Sequence, residues 1–453
     1  MREFLLTLCV AAAVTYLLTG PARKFAIMAG AMPQIRERDV HKEPTPRLGG
    51  IAMFGGLCAG LLVAANLSTM TSIFQGGDGG SDVPALLSGA AIMWIIGVLD
   101  DKWGVDALVK LGGQMVAAGV MVYQGVTVLY LPVPGYGAVS VGPTWGTFIA
   151  VALVVISVNA VNFIDGLDGL AAGMVCIAAL AFFAYSYRLS YTYGIPDALP
   201  ATLFSAILVG ICLGFLPHNL HPARIFMGDS GALLLGLLLS VSMISLTGRI
   251  DPSVITALNN GSQTQATHAM VPIYIPLLLP LTVIAIPLAD LVLAVVRRTW
   301  AGKSPFAADK GHLHHRLLEI GHSHSRAVMI MYFWAALFAF ATVAFSLNHT
   351  ALLVVEIAMS ACVVGIVVLL MPRFKPHAPR IAERFVPPRY RQPDGAPVEP
   401  VREVLTEPSV PELAVTATFS QADEELLRKI GTGAHASGRQ SGASGRIVRN
   451  SSG

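Results

Sequence analysis

The sequence predicts an all-α, polytopic helical membrane protein with about eleven transmembrane helices and a small β-hairpin on its outer face. Of the 453 residues, 54% are hydrophobic and 13% are charged, whereas about 25% are charged in an ordinary soluble domain. The apolar residues form runs of about 18 to 22, the length at which a helix crosses a bilayer. This composition excludes soluble, fibrous and nucleic-acid-binding proteins.

The helices follow from the apolar runs, and their orientation follows from the basic residues between them. The loops after the odd-numbered spans hold fifteen Lys and Arg residues, whereas the N-terminus and the loops after even-numbered spans hold three. We therefore expect the N-terminus outside, the C-terminus in the cytoplasm, and the large polar loops on the cytoplasmic side. The predicted spans are 4–20, 48–68, 84–99, 111–129, 145–163, 169–187, 200–217, 230–247, 271–296, 328–346 and 351–371.

Three segments differ from a plain apolar helix. Residues 126–144 alternate apolar and small residues around Pro-Gly, which predicts the outer β-hairpin. Span nine contains four prolines, and because each removes a backbone hydrogen bond we expect this helix to be bent or broken. Residues 372–453 hold 21 charges in 82 residues, which predicts a disordered cytoplasmic tail after a transmembrane domain formed by residues 1–371.

Acidic side chains cluster at the predicted cytoplasmic ends of three spans. For any one cluster, a solvated helix end is the simpler interpretation. Three clusters at one depth favour a shared cation, because carboxylates there are costly unless they are paired, wet or bound. Oxygen ligands without Cys favour Mg²⁺, with Mn²⁺ as the other candidate. The polar residues are Asp100, Asp101, Asn159, Asn162, Asp165, Asp168 and Asp229.

Groups that suit anions lie on the same predicted face. Residues 225–231 (IFMGDSG) place an aromatic ring and two glycines at a helix start, where free N–H groups attract phosphate. The loop 297–327 carries five histidines within thirteen residues, and the first loop carries Lys42 and the run PTPRLGG. A wet amphipathic segment or a zinc site would also explain the histidines, but a phosphate-binding cluster fits the neighbouring carboxylates better.

Cation ligands, helix-terminal N–H groups and basic clusters are the parts that phosphoryl transfer requires. Catalysis of that reaction consists mainly of positioning the reactants and neutralising their charge. An active site at the membrane surface implies one lipid-soluble and one water-soluble substrate. The residues alone do not identify those two substrates.

Five motifs together resemble the polyprenyl-phosphate N-acetylhexosamine-1-phosphate transferase family over about residues 1–371. The chain looks closest to its undecaprenyl/decaprenyl-phosphate N-acetylglucosamine-1-phosphate transferase branch. Many members carry DDxxD after the third span, whereas here Asp106 is displaced by two positions, so no role is carried over to it. The motifs are NAVNFIDGLDGL at 159–170 for NxxNxxDGxDGL, FMGDSG at 226–231, HLHH at 312–315 for HxHH, PTPRLGG at 44–50, and Asp100-Asp101.

The resemblance implies that N-acetylglucosamine-1-phosphate passes from UDP-N-acetylglucosamine to polyprenyl phosphate with release of UMP and with Mg²⁺ as cofactor. It also implies the cytoplasmic face of the bacterial cell membrane and the first membrane step of a cell-envelope glycan pathway. Within the motifs, the implied metal ligands are Asp229, Asp165 and Asp100. The implied catalytic residues are Asp100, Asp101, Asp165, His314 and His315. The implied substrate-binding residues are Lys42, Arg47, Lys110, Asn159, Asn162, Asp168, Phe226 and His312.

Several alternatives stay open at this point. Transfer of phospho-N-acetylmuramoyl-pentapeptide is the nearest other activity. A cation-coupled transporter predicts charges at the bilayer midplane, where only Asp290 and Glu356 qualify. Single in-line displacement is the favoured mechanism, because a phosphate monoester with a second pKa of about 6 is largely dianionic at pH 7. A covalent phospho-aspartate mechanism and a homodimer are both compatible with the sequence, and no nucleic-acid partner is expected.

Overall fold

Ten α-helices and one pair of strands make up the described part of the computed structural model. It describes residues 1–32, 45–75, 82–133, 137–192, 194–247, 299, 323–347, 358, 361 and 362. All of these residues belong to one unit, Met1–Pro372. The helices are α1 (Arg2–Met28), α2 (Gly50–Ala65), α3 (Thr71–Gln75), α4 (Asp82–Trp103), α5 (Ala107–Tyr123), α6 (Pro143–Ile164), α7 (Leu170–Tyr191), α8 (Leu199–Asn219), α9 (Gly228–Thr247) and α10 (His324–Leu347).

Seven of the described helices are long and apolar enough to cross a membrane, and α5 is a shorter apolar helix. Each predicted span from one to eight, and span ten, coincides with a described α-helix, span two with α2. The ninth span with its prolines, most of the eleventh span and the tail lie outside the described residues. The count of eleven and the orientation of the chain therefore remain predictions.

Helix α2 covers most of the second predicted span, 48–68, and the chain bends sharply just after the end of the helix. Helix α2 ends at Ala65, and the segment Ser68–Gln75, a 3₁₀ turn followed by α3, bends away by 98°. Asn66 explains the break, because its side-chain Nδ2 donates to the Leu62 carbonyl at 2.7 Å and its backbone N–H turns to the Val63 carbonyl. An amide that bonds to the backbone of its own helix competes with further helical turns.

Helix α5 begins and ends several residues before the predicted span at 111–129. Asp106 starts the helix early, because its carboxylate accepts a hydrogen bond from the Leu108 N–H at 2.9 Å, which is an N-cap. Gly125, with φ of 98°, follows the end of the helix. The capping role of Asp106 agrees with its exclusion from the predicted ligands.

Helix α9 lies at the centre of the described helices and packs against α2, α4, α6 and α8. Its apolar stretch is 94% buried, whereas that of α6 is 33% buried. Glycines permit the close approach: a Cβ at Gly97 of α4 would overlap the backbone of Ser230, and a Cβ at Gly236 of α9 would lie 2.5 Å from Val158 Cα of α6. Small residues at helix crossings allow this packing without a hydrophobic driving force between helices.

Two short strands, β1 (Tyr130–Val133) and β2 (Gly137–Ser140), pair antiparallel between α5 and α6, within the segment for which a hairpin was predicted. Tyr130 lies opposite Ser140, and Val133 lies opposite Gly137. Their predicted position on the outer face of the membrane is not tested by the structure. The opposite ends of α5 and α6 carry the polar residues of the candidate site.

Candidate active site

Main-chain hydrogen bonds join the loop that precedes α2 to the loop that precedes α9. The Phe226 N–H donates to the Pro46 carbonyl at 2.9 Å, and the Gly49 N–H donates to the Phe226 carbonyl at 3.0 Å. The Gly50 N–H adds a bond of 3.1 Å to the Met227 carbonyl. These three bonds bring the motifs PTPRLGG and FMGDSG side by side.

The carboxylate of Asp101, near the end of α4, caps the N-terminus of α9. Its Oδ1 accepts a hydrogen bond from the Asp229 N–H at 2.8 Å, and its Oδ2 accepts from the Ser230 N–H at 3.0 Å and from Ser230 Oγ at 2.7 Å. Capping of this kind satisfies unpaired N–H groups at the positive end of the helix dipole. Asp101 therefore determines the position of Asp229. Both oxygens of the Asp101 carboxylate are engaged, by three donors in all.

Gly228 makes this cap sterically feasible. Its φ of 68° lies in the left-handed region that side chains rarely adopt. A Cβ at this position would overlap the Asp101 carboxylate. The glycine of the FMGDSG motif is thus required by backbone conformation and by close approach at once.

The ammonium group of Lys110, on the first turn of α5, joins two of the predicted metal ligands. Its Nζ lies 3.2 Å from Asp100 Oδ2 and also contacts Asp229 Oδ2. On the other side of Asp229, Asn162 Nδ2 donates to Oδ1 at 2.9 Å. Asp100 Oδ1 accepts from the Val105 N–H at 2.7 Å. Side chains from α4, α5, α6 and α9 therefore converge on one charged cluster.

One helical turn deeper, two amide side chains link α5 to α6. Asn159 Nδ2 donates to Gln114 Oε1 at 2.6 Å, and Gln114 Nε2 donates in return to Asn159 Oδ1 at 3.4 Å. Gln114 is buried, with 1% of its surface exposed. The sequence analysis predicted a role for Asn159 but missed Gln114. The available signal was an amide four residues after Lys110 in an otherwise apolar run.

Asp165 follows the last residue of α6 and belongs to the same electrostatic neighbourhood. The pKa of its carboxyl is raised to about 7, chiefly by burial and also by repulsion from the Asp101 carboxylate, while the Arg47 guanidinium opposes the rise. Mutual repulsion between carboxylates is relieved by a nearby cation. The electrostatics of Asp165 therefore suit a site that also holds positive charge.

Asp168, the second aspartate of the DGLDG run, joins three parts of the chain. Its side chain is fully buried, and its Oδ2 contacts His221 Nδ1 at 2.7 Å and accepts from the Ala223 N–H at 3.1 Å. Its own N–H donates to His324 Nε2 at 3.0 Å, and the His221 and His324 rings stack with centroids 4.3 Å apart. The turn after α6 is thus tied to the loop before α9 and to the start of α10.

Two further polar residues, which the sequence analysis missed, support this turn. Asn219 accepts from the Gly169 N–H at 3.1 Å and donates to the Ile225 carbonyl at 3.0 Å. Tyr332 of α10 donates from its hydroxyl to the Gly169 carbonyl. His221 was also missed. The sequence offered only the polar run NLHP, and partners more than fifty residues away cannot be identified by spacing.

Two sets of described residues could supply ligands to a divalent cation. Asp100, Asp165 and Asp229, with the Asn162 amide, present hard oxygen atoms of the kind that Mg²⁺ and Mn²⁺ prefer. Among the described residues, only the second set, Asp168, His221 and His324, has ligand atoms that lie within 4.8 Å of one another. However, the Asp168 N–H already occupies the lone pair of His324 Nε2, and His221 already bonds to Asp168. The chemistry of the donors therefore favours the oxygen group.

Four predicted site residues lie outside the described residues, and their roles stay predictions. They are Lys42, His312, His314 and His315. Arg47 and Phe226 are described and partly buried in the paired loops before α2 and α9. Their assignment to substrate binding also remains a prediction.

The fold and this cluster define an integral membrane protein that gathers carboxylates, a lysine and amides where four of its helices end or begin. Residues 83–247 match the profile of glycosyl transferase family 4. The chain belongs to that family, because curated members resemble it over most of their length.

Three relatives illustrate the similarity. The decaprenyl-phosphate N-acetylglucosaminephosphotransferase of Mycobacterium tuberculosis is 43% identical over 379 residues, which are 82% of this chain and 89% of the relative. The probable undecaprenyl-phosphate N-acetylglucosaminyl 1-phosphate transferase of Bacillus subtilis is 30% identical over 83% of this chain and 95% of the relative. The phospho-N-acetylmuramoyl-pentapeptide-transferase of Mycolicibacterium smegmatis is 33% identical over 55% of this chain.

Proposed function

We propose that the protein transfers N-acetylglucosamine-1-phosphate from UDP-N-acetylglucosamine to polyprenyl phosphate at the cytoplasmic face of the bacterial cell membrane. The names of the relatives at 43% and 30% identity support this pair of substrates. The observation that carries the proposal is the cluster in which Lys110 joins Asp100 to Asp229. With a divalent cation held by these carboxylates, the cation and the Lys110 ammonium would together neutralise two phosphate-bearing substrates that repel each other.

The proposed step is an in-line displacement at phosphorus. A phosphate oxygen of the lipid attacks the phosphorus that carries the sugar, and the bond from that phosphorus to the bridging oxygen of UMP breaks. UMP leaves with the electron pair, so the products are polyprenyl-diphospho-N-acetylglucosamine and UMP. Because the lipid phosphate is largely dianionic at pH 7, the attacking oxygen needs little help from a base.

The contacts within the cluster suggest separate roles for the two adjacent aspartates. Asp101 uses both oxygens to cap α9, so we assign it to the positioning of Asp229 and not to proton transfer. The carboxylate of Asp100 forms an ion pair with Lys110, and Asp100 is the better candidate for contact with substrate or metal. The ammonium group of Lys110 would move between the carboxylates of Asp100 and Asp229, which it contacts here, and a substrate phosphate.

A divalent cation, Mg²⁺ or Mn²⁺, is part of the proposal. Asp229 and Asp100 would hold it, with Asp165 and the Asn162 amide nearby. When bound, the ion supplies positive charge against the phosphate oxygens. Asn162 orients Asp229 through its hydrogen bond of 2.9 Å.

The second candidate activity, transfer of phospho-N-acetylmuramoyl-pentapeptide, is less well supported, because that relative matches 55% of this chain against 82% for the first. Membership of a transferase family also argues against a cation-coupled transporter. A homodimer, which the sequence leaves open, is not part of the proposed mechanism.

The test is the substrate preference of the purified full-length protein in detergent with polyprenyl phosphate and Mg²⁺. We expect UMP release and a glycolipid product with UDP-N-acetylglucosamine, no product with UDP-N-acetylmuramoyl-pentapeptide, and no product after chelation of the metal. Formation of product with the pentapeptide donor alone would replace the proposed activity with the second candidate. Absence of product with both donors would overturn the proposal.

A further inference from the structure

The amide pair of Gln114 and Asn159 is the deepest polar contact between α5 and α6 among the described residues. Gln114 is buried, whereas Asn159 lies on the exposed side of α6. Both donor hydrogens of the Asn159 amide are engaged, one by Gln114 Oε1 and one by the Val155 carbonyl at 2.8 Å. An exposed amide would otherwise rotate, so these two bonds determine how Asn159 is presented.

The same two helices meet a second time at the charged cluster. Lys110 precedes Gln114 by four residues, and Asn162 follows Asn159 by three, so each pair lies on one face of its helix. Lys110 and Asn162 both contact Asp229, from α5 and from α6 respectively. The side chains therefore form two parallel links between the helices, one through Asp229 and one through the amide pair.

The link through the amide pair restricts the link through Asp229. Rotation or sliding of α6 against α5 that broke the amide pair would also carry Asn162 away from Asp229, since Asn159 and Asn162 are less than one turn apart. Burial of an amide in an apolar environment is unfavourable without a partner, which makes the pairing a strong constraint on the register of the helices.

We propose that Gln114 is a positioning residue of the active site that acts through Asn159 to set the register of α6 against α5, so that Asn162 and Lys110 meet at Asp229. The inference rests on the proposed transferase function. The side chain of Gln114 forms its hydrogen bonds with Asn159 and not with Lys110 or Asp229, so its effect on catalysis is indirect.

The test compares Gln114→Leu with Gln124→Leu in the full-length protein. Gln124 is a matched control, because its amide also links two helices, donating to Ser88 Oγ of α4 at 2.7 Å, but it lies at the opposite end of α5. We expect Gln114→Leu to lower kcat by roughly ten- to a hundred-fold, since small misplacement of reacting groups has effects of this size. The KM values for both substrates should stay within about two-fold of the parent. Gln124→Leu should keep kcat within about two-fold of the parent.

A double-mutant cycle tests whether Gln114 acts through Asn159. The variant with Gln114→Leu and Asn159→Leu should be no slower than Asn159→Leu alone, because the two residues form one unit. Multiplicative losses would overturn the inference, as would an unchanged kcat in Gln114→Leu. An equal loss of kcat in Gln124→Leu would show that any interhelical amide has this effect, which also overturns it.

Gln114→Asn covers the case in which the leucine variant does not fold. It keeps the amide but shortens the side chain by one methylene, so we expect normal insertion, an intermediate kcat, and recovery on addition of Asn159→Gln. Failure of that recovery contradicts the inference. The rate of the parent protein tests the proposed function, whereas the ratio of the kcat of the variant to that of the parent tests the role of Gln114. Failure of the proposed function and failure of the inference about Gln114 can therefore be told apart.

Discussion

Asp100 and Asp101 are adjacent in the chain but have different partners. Successive side chains on an α-helix point about 100° apart, so two neighbours at a helix end cannot serve one partner. Asp101 bonds to the start of α9, and Asp100 bonds to Lys110 of α5. The pair therefore connects α4 to both of the helices that present charge at the site.

Asp229→Asn should lower the rate by about 10²–10³, the typical effect of losing one well-placed electrostatic group in an active site. The amide keeps the shape and one oxygen but loses the negative charge that Lys110 and a hard cation require. Initial rates over a range of Mg²⁺ concentrations measure the effect, and high Mg²⁺ or Mn²⁺ should restore part of the rate.

Asp106→Asn is the matched control for this charge removal. The exposed carboxylate of Asp106 caps α5 at the Leu108 N–H, and Asn is an equally good N-cap, so the rate of Asp106→Asn should stay near that of the parent. A rate for Asp229→Asn within a few-fold of the parent at low Mg²⁺ would shift the metal assignment toward Asp100 and Asp165.

Gly228→Ala should reduce both stability and rate more than Gly30→Ala does. Each glycine has φ of 68°, so each alanine adds about 1–2 kcal/mol of backbone strain. Only at Gly228 does the new Cβ overlap another group, the Asp101 carboxylate, whereas at Gly30 nothing lies within 4 Å. Thermal unfolding in detergent and kcat measure the two effects. Equal losses in both variants would mean that close approach to Asp101 is unimportant.

Candidate site residues could be predicted from the sequence where they belong to a motif. They could not be predicted where their role depends on a contact with a distant part of the chain. Asp229 and Asp165 belong to recognisable motifs, so residue type and spacing were sufficient to select them as candidates. Gln114 and His221 gain their contacts from partners distant in the chain, Asn159 and Asp168. A single amide in an apolar run gives no indication of which helix it will face.

Among the elements, helix positions were more predictable than helix ends. Apolar runs locate a helix because burial in a bilayer depends on composition, and described helices coincide with nine of the predicted spans. Ends depend on single side chains, as Asp106 starts α5 early and Asn66 ends α2 before the predicted limit. These local hydrogen bonds are invisible to a hydropathy average.

Gly97→Ala tests whether the close crossing of α4 and α9 holds the site together. Alanine favours a helix by about 1 kcal/mol over glycine, but at Gly97 its Cβ would overlap the Ser230 backbone, next to Asp229. We expect lower kcat and a lower unfolding temperature. Gly112→Ala, where nothing lies within 4 Å, should leave kcat unchanged and stability equal or higher. The same response at both positions would contradict a packing role for Gly97.

For the whole molecule, the orientation inferred from basic residues places every described carboxylate of the cluster on the cytoplasmic side. The distribution of Lys and Arg is a property of the entire chain, whereas each site residue belongs to a single loop or helix end. A direct test of orientation therefore bears on all site assignments together.

Single cysteines at positions 78 and 305 provide that test. In a background with the native cysteines replaced, an impermeant thiol reagent applied to intact cells should label Asp78→Cys and should not label Pro305→Cys, because the first lies in a predicted outer loop and the second in a basic cytoplasmic loop. Both should react after permeabilisation. The reverse labelling pattern would place the carboxylates outside the cell, where UDP-sugars are not supplied.

The three main-chain bonds between the loops before α2 and α9 have a consequence for sequence change. Because the pairing uses main-chain groups, exchanging a side chain such as Phe226 leaves these hydrogen bonds in place. Gly49 and Gly50 are the exceptions, because a Cβ at either would overlap neighbouring atoms. Adding or removing one residue between Pro46 and Gly50 shifts the pairing by one position and dismantles it. Substitution of Phe226 therefore changes the side chain that this loop presents, whereas a change in the length of the loop removes the pairing itself.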